Sequence, residues 1–220
     1  MTFRLQKVDE LSLRDHYHLT DNDECWYFGE YTAYKDWSFS ETNQLIKNLK
    51  KKMSVQGTNQ WPYKLRAIEH VGDLLASVID TSRLQRSLFV PIPPSKIVGD
   101  PDYDPRMRQT LDNAAAKLNC RLPIAECITQ VSNTEPDHES VDSRLYPEDR
   151  ADTYQVHQET IPSGTEAILL IDDVLTTGSH YKGAEIAIKR LYPQMRVQGL
   201  FVARRVHENP FEEIDLSDFF

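Results

Sequence analysis

The segment Ala167-Ile-Leu-Leu-Ile-Asp-Asp-Val-Leu-Thr-Thr-Gly-Ser-His180 constrains this chain more than any other stretch. Its first five residues are apolar, the pattern of a central parallel strand buried on both faces. Asp172 and Asp173 follow at once, which sets a strand end and two carboxylates at the carboxyl edge of the sheet, where open α/β folds bind ligands. Thr176-Thr-Gly-Ser179 then leads into a helix at about Tyr181. Gly178 permits φ > 0 and close approach, so successive N–H groups can converge on one anion. The hydroxyls of Thr176, Thr177 and Ser179 add donors, and the helix N-terminus adds a favourable field. One loop therefore offers an anion cradle beside two carboxylates. A phosphorylated sugar needs that pairing, because its phosphate takes donors and its hydroxyls take acceptors. An acid pair alone can be a solvated strand end, and Thr-Thr-Gly-Ser alone a helix cap. Their contiguity behind an apolar run selects the ligand-binding reading.

The remaining periodicities predict a frame for this loop. Tyr27 to Tyr34 suits a strand or hairpin. Ser38-Phe-Ser-Glu41 resembles a capping box opening a helix that runs through Lys52. A loop spans 53–61, and Pro62 opens a second helix with Leu65, Ile68, Val71, Leu75 and Ile79 on one face. Ser87 to Ile92 is a short apolar strand stopped by Pro93-Pro94. Arg106 to Leu118 reads as a helix, Ile124 to Ile128 as a strand, and Lys182 to Leu191 as a helix. Val197 to Ala203 is one more buried strand. Thr129 to Gln158 is polar, as expected of a mobile loop or an excursion over a site. Alternating strands and helices predict an α/β sheet with parallel strands. Residues 1–80 form an N-terminal elaboration or hood, and 81–220 the core. The acidic tail from Glu212 to Asp218 carries no readable role.

Composition narrows the partners. Of 220 residues, 40% are hydrophobic and 27% charged, so the chain can bury a sizeable core without disulfides. A net charge of −9 argues against sequence-independent nucleic-acid binding, though a local N–H array still binds a small anion. The basic cluster Lys47, Lys50, Lys51, Lys52 and Lys64, near Trp61 and Tyr63, could meet a nucleic acid or a partner, but a solvated helix end is the favoured reading. No apolar run is long enough for a membrane span, and no signal peptide is visible, which makes the cytoplasm the default location. Cys25, Cys120 and Cys127 suit reduced thiols. His16-x-His18 with Cys25 lacks a fourth ligand at a convincing spacing for a metal. A Gly-x-x-x-x-Gly-Lys-Ser/Thr pattern is missing, which sets aside a nucleotide-dependent kinase or hydrolase.

Ile168 to Ser179 resembles the phosphoribosyl pyrophosphate (PRPP) signature of type I phosphoribosyltransferases. The resemblance implies that fold, with a central parallel sheet flanked by helices. It implies that Asp172 and Asp173 hold the ribose hydroxyls, and that Thr176, Thr177, Gly178, Ser179 and His180 hold the 5′-phosphate. It also implies Mg²⁺, bound mostly by PRPP and water with Asp172 and Asp173 in support. Phe89-Val-Pro-Ile-Pro-Pro-Ser-Lys96 is similar to the family's pyrophosphate loop, which gives Pro94, Ser95 and Lys96 to the pyrophosphate. Lys96, Asp173, and Arg144 or Arg150 from the segment 143–150 are then the catalytic candidates. Within the family the spacing is most similar to the ComF-like branch, without its zinc ribbon and with Asp104-Pro-Arg-Met-Arg108 in place of its Arg-Gly-Phe-Asn-Gln element. Oxopurine enzymes of the family carry an aspartate where Thr176 stands, which weighs against hypoxanthine or guanine as acceptor. The expected activity is phosphoribosyl transfer to a nitrogenous acceptor with release of pyrophosphate. The alternative is a non-catalytic PRPP or nucleotide sensor acting in DNA uptake, defence or regulation, and a homodimer or protein partner fits either.

Overall fold

The computed structural model describes residues 3–134 and 145–207. In chain order these form β1 (Gln6–Lys7), α1 (Glu10–Leu13), β2 (Cys25–Thr32), α2 (Glu41–Leu49), α3 (Trp61–Val78), β3 (Ser87–Pro91) and α4 (Arg106–Leu118). They continue with β4 (Ile128–Gln130), α5 (Pro147–Asp152), β5 (Tyr154–Val156), β6 (Ala167–Leu175), α6 (Ser179–Leu191) and β7 (Arg196–Val206). Among the described residues, five strands build one sheet in the order β1-β2-β7-β6-β3. β2, β7, β6 and β3 run parallel, and β1 pairs with β2 antiparallel. The sheet is therefore mixed, not the all-parallel one expected. Gln6 and Lys7 are exposed, so this edge strand carries no apolar signal in the sequence.

Residues 3–80 contribute two strands, β1 and β2, to the main sheet. β2 lies beside β7 from Cys25↔Gly199 to Thr32↔Val206, and the aromatic run that signals the strand also fills both sheet faces. The α2 helix is capped by Ser40, whose Oγ accepts the Asn43 N–H at 3.0 Å, and not by Ser38, which turns to Asp36. It ends at Leu49, so Lys50, Lys51 and Lys52 follow the helix.

The connections out of β3 and β6 run in opposite directions. From β3 the chain passes through α4 and returns at Ile124, which bridges Phe89 on the side of β3 away from β6. From β6 it passes through α6 to β7, on the far side of β6. Right-handed crossovers in opposite directions put their helices on opposite faces. Accordingly α4 packs with α2 and α3 through Met107, Leu111, Leu49, Ile68 and Val71, while α6 packs on the other face through Tyr181, Ala184 and Ile188. The seam between β3 and β6 is a topological switch point, which opens a crevice at the strands' carboxyl ends.

Two segments differ from expectation around that crevice. The strand expected over 124–128 is a single bridge at Ile124, and β4 instead pairs antiparallel with β5 in a separate two-stranded sheet. Within the polar stretch 129–158, α5 and β5 are ordered elements; α5 buries Pro147, Arg150 and Ala151 against α6. Polar residues there face solvent on one side and hide a short amphipathic pattern from a sequence reading. Residues 135–144 and the acidic tail lie outside the described residues.

Candidate functional site

β3 stops at Pro91, and its last ladder bond is the Ile92 N–H donated to Ile171 O at 2.9 Å. Pro93 and Pro94 have no N–H to continue it, so the chain leaves the sheet. β6 was expected to end at its acid pair, but it pairs onward with β7 through Val174↔Ala203 and Leu175↔Arg204. Val174 and Leu175 are buried, and that burial carries the strand past the charges. A cavity of about 390 Å³ opens where the two strands part. Pro94, Ser95, Lys96, Asp172, Asp173, Thr176 and His180, all expected in the site, line it together.

Alternation along β6 sends the two aspartates to opposite faces. Asp173 faces α2 and α4. Arg106 donates to its Oδ2 through Nε at 3.0 Å and Nη2 at 2.6 Å, and Lys50 Nζ lies 3.0 Å from its Oδ1. Burial alone would raise the Asp173 carboxyl; the Lys50 and Arg106 charges overcome it and hold the group well below the usual carboxylate range. The chain of charges runs deeper. Arg106 Nη1 donates to Asp104 Oδ2 at 2.6 Å, and the fully buried Lys64 donates to the same oxygen at 2.7 Å. Lys64 also donates to the carbonyls of Leu49 and Lys51, closing the end of α2 that delivers Lys50. With Lys64 internal and Lys50 on Asp173, the basic cluster read from the sequence is not one surface patch.

Asp172 is half-buried on the face of α6, and its Oδ1 accepts the Asp173 N–H at 2.7 Å. Burial first, then the Asp173 charge, push its carboxyl up to about 6, against a smaller opposing pull from His180. The sign for stability follows. A folded-state value above the ordinary 3.8 means that ionised Asp172 costs stability, relieved as pH falls through about 6. Asp173 works oppositely, giving stability that is present at neutral pH and lost as pH drops below the ordinary carboxylate range. Replacing Asp172 by Asn is therefore expected to raise stability by about 1–2 kcal/mol at pH 8, a value discounted for its partial exposure. The gain should disappear towards pH 4. Thermal melts of both proteins across that range check it, and a gain independent of pH would contradict it.

The Thr176–Ser179 loop is held from behind. His16 Nδ1 bonds the Thr176 carbonyl, and the His18 N–H donates to the Thr177 carbonyl at 3.0 Å. Because peptide C=O and N–H point oppositely, the N–H groups of Thr177 and Gly178 are turned away from that backing. Gly178 has φ 90°, and a Cβ there would meet Leu19 at 2.9 Å, so glycine is required on both counts. The α6 helix starts at Ser179, earlier than the expected Lys182. Thr177, Gly178 and Ser179 stand behind the cavity rim formed by Thr176 and His180. The Ser179 hydroxyl donates to Leu145 O at 2.7 Å and accepts Arg150 Nε at 3.1 Å. Its proton is thus spent inside the protein, and the Ser179 N–H goes to Thr177 Oγ1, which leaves an anion the N–H groups of Thr177 and Gly178 and the Thr176 hydroxyl.

Arg150, expected on a mobile segment, sits in α5 at 1% exposure, wedged over Gly183, and supports the loop from below. Arg144 lies outside the described residues. Cys25 is in the core, where burial pushes its thiol up, and His16 is spent on Thr176. Among the described residues no three metal-ligating side chains gather at one point, and no helix is long and apolar enough to cross a membrane.

Lys50, Lys64, Asp104 and Arg106 are not read as site residues from the sequence, which places the two lysines in a basic cluster instead. Asp104-Pro-Arg106 did carry a signal, an acid and a base two apart at a helix start behind a proline. No protein-family model matches the chain, and a search of curated proteins finds no significant match.

Proposed function

We propose that this cavity binds Mg²⁺-PRPP and that the protein transfers the phosphoribosyl group to a nitrogenous acceptor, on a type I phosphoribosyltransferase-like fold. One observation carries the reading. The two ends of the glycine loop (Thr176 and His180), a raised carboxylate and a lysine-bearing proline loop, distant in sequence, line one cavity at the β3–β6 switch point. Thr176, His180 and the loop's N–H groups suit a 5′-phosphate, Asp172 suits the ribose hydroxyls, and Ser95 with Lys96 suits pyrophosphate.

Asp172 fits a supporting place beside Mg²⁺, a hard cation that takes carboxylate and water oxygens. Asp173 does not, since both its oxygens are engaged by cations. Bound with PRPP, the ion would offset the charge growing on the leaving group. The protein's own part is to hold C1 open to attack. The C1–O bond to pyrophosphate breaks with its electron pair on the leaving oxygen, the acceptor nitrogen's lone pair closes the C1–N bond, and the acceptor's proton passes to solvent. Lys96 stabilises the leaving charge, and the rigid β6 loop fixes the sugar.

The test is pyrophosphate release from Mg²⁺-PRPP across a panel of bases. Release that requires a particular base is the expected result, reduced about 10²–10³-fold by Lys96→Ala. Release with no base in the panel, despite PRPP binding, would replace transfer with sensing.

A further inference from the structure

On the α2 and α4 side of β6, three cations, Lys50, Lys64 and Arg106, meet two carboxylates, Asp104 and Asp173. One positive charge is left over, and a charge drawn out of water is unfavourable until a counter-charge arrives. Lys64 is fully buried, and Arg106 spends Nε, Nη1 and Nη2 on the two aspartates. The surplus therefore falls to Lys50, whose side chain lines the cavity at 33% exposure. Its ammonium carries three protons, and Asp173 Oδ1 at 3.0 Å is the one side-chain acceptor it meets among the described residues. Asp172 does not absorb the charge, since Lys50 is the weakest of the influences on that carboxyl. The fold also fixes where this lysine stands. Lys64 donates to the carbonyls of Leu49 and Lys51, the residues on either side of Lys50, and the Lys50 N–H closes α2 on Ile46 O at 2.9 Å. A solvated surface lysine needs no such backing.

Strand alternation decides which anion this charge meets. Asp173, and Lys50 with it, belongs to the face of α2 and α4, whereas the Thr176–His180 loop that suits the 5′-phosphate leads into α6 on the other face. The second anion of PRPP is its pyrophosphate, and the loop carrying Ser95 and Lys96 runs on through Asp104 into Arg106 and α4. We propose that Lys50 is a further catalytic residue, donating to the pyrophosphate oxygens from the α2 side while Asp173 keeps hold of one of its protons. As the C1–O bond breaks, the electron pair passes to the departing oxygen; Lys50 retains its proton and stabilises that charge through a hydrogen bond. The name pyrophosphate rests on the transfer reading; the call for an anion rests on the surplus charge.

The test titrates Mg²⁺-pyrophosphate and, separately, ribose 5-phosphate into the whole chain, Lys50→Met and Lys50→Arg. Lys50→Met should bind pyrophosphate at least about 30-fold more weakly, the loss of a hydrogen bond to a charged group. Ribose 5-phosphate should stay within about threefold, because its phosphate sits on the other face. Lys50→Arg keeps the charge and should hold pyrophosphate within about tenfold of wild type. Pyrophosphate release from Mg²⁺-PRPP should fall about 100-fold in Lys50→Met. A reading that needs no variant comes from amine acylation followed by peptide mass spectrometry. Mg²⁺-pyrophosphate should shield Lys50 of wild type from the reagent, and ribose 5-phosphate should not. Equal labelling with and without pyrophosphate would overturn the proposal. So would unchanged pyrophosphate affinity in Lys50→Met, equal losses for both probes, which mark a merely structural lysine, or a wild type that binds no pyrophosphate. If pyrophosphate binding depends on Lys50 while no base supports release from Mg²⁺-PRPP, the transfer reading falls and the Lys50 assignment stands. Base-dependent release that Lys50→Met leaves intact removes only the assignment.

Discussion

Lys64→Met is expected to destabilise the protein by about 3 kcal/mol, the lower end of what losing one member of a buried ion pair costs. Methionine keeps most of the stem's packing, so the loss reports the charge. Without the ammonium, Asp104 keeps Arg106 alone, and the carbonyls of Leu49 and Lys51 lose an internal donor at the end of a helix. The remaining Arg106 contact is why the lower end applies. Adding Asp104→Asn to Lys64→Met should restore part of the loss, because it removes the carboxylate left short of partners. Urea unfolding of wild type and both variants measures this. A Lys64→Met protein as stable as wild type would mean that the lysine is not held internally as described.

The second large effect separates adjacent, isosteric substitutions. Asp172→Asn should remain folded and lose at least about 100-fold in Mg²⁺-PRPP affinity, because a carboxylate facing the ligand becomes a neutral amide. Its Oδ1 can still accept the Asp173 N–H, so the strand is not disturbed. Asp173→Asn should lose about 3 kcal/mol of stability, since Lys50 then loses its carboxylate and Arg106 keeps Asp104 alone. Opposite effects on stability from neighbouring residues follow from strand alternation: one side chain faces the cavity beside α6, the other a closed network of charges. Equal effects from both would remove that distinction.

How far the sequence reaches can be judged residue by residue. Arg106–Leu118 was legible as a helix to both ends, because its apolar residues keep a helical period between a proline and an asparagine at φ 49°. The β6 strand was legible as buried, but its length was not. A doubled aspartate looks like a strand end, and only the β7 partner shows why Val174 and Leu175 continue. Gly178 was legible as a glycine that the loop requires, though Leu19 as the reason comes from a segment about 160 residues away. Lys64 was read as part of a solvated basic cluster, and it is fully buried. A lysine on an amphipathic helix ordinarily snorkels to water, and its burial depends on Asp104 and two carbonyls brought together by folding. Local patterns reveal backbone states and loop chemistry; the partners that decide a charge's role are set by the tertiary fold.

Calorimetric titration of Mg²⁺-PRPP into wild type and folded Asp172→Asn tests the proposed ligand most directly. The expected result is saturable one-site binding to wild type and its loss in the variant, with the variant's melting point at pH 8 equal to or above that of wild type. No binding to wild type, or equal binding to both proteins, would contradict the assignment of this cavity to a phosphorylated ribose.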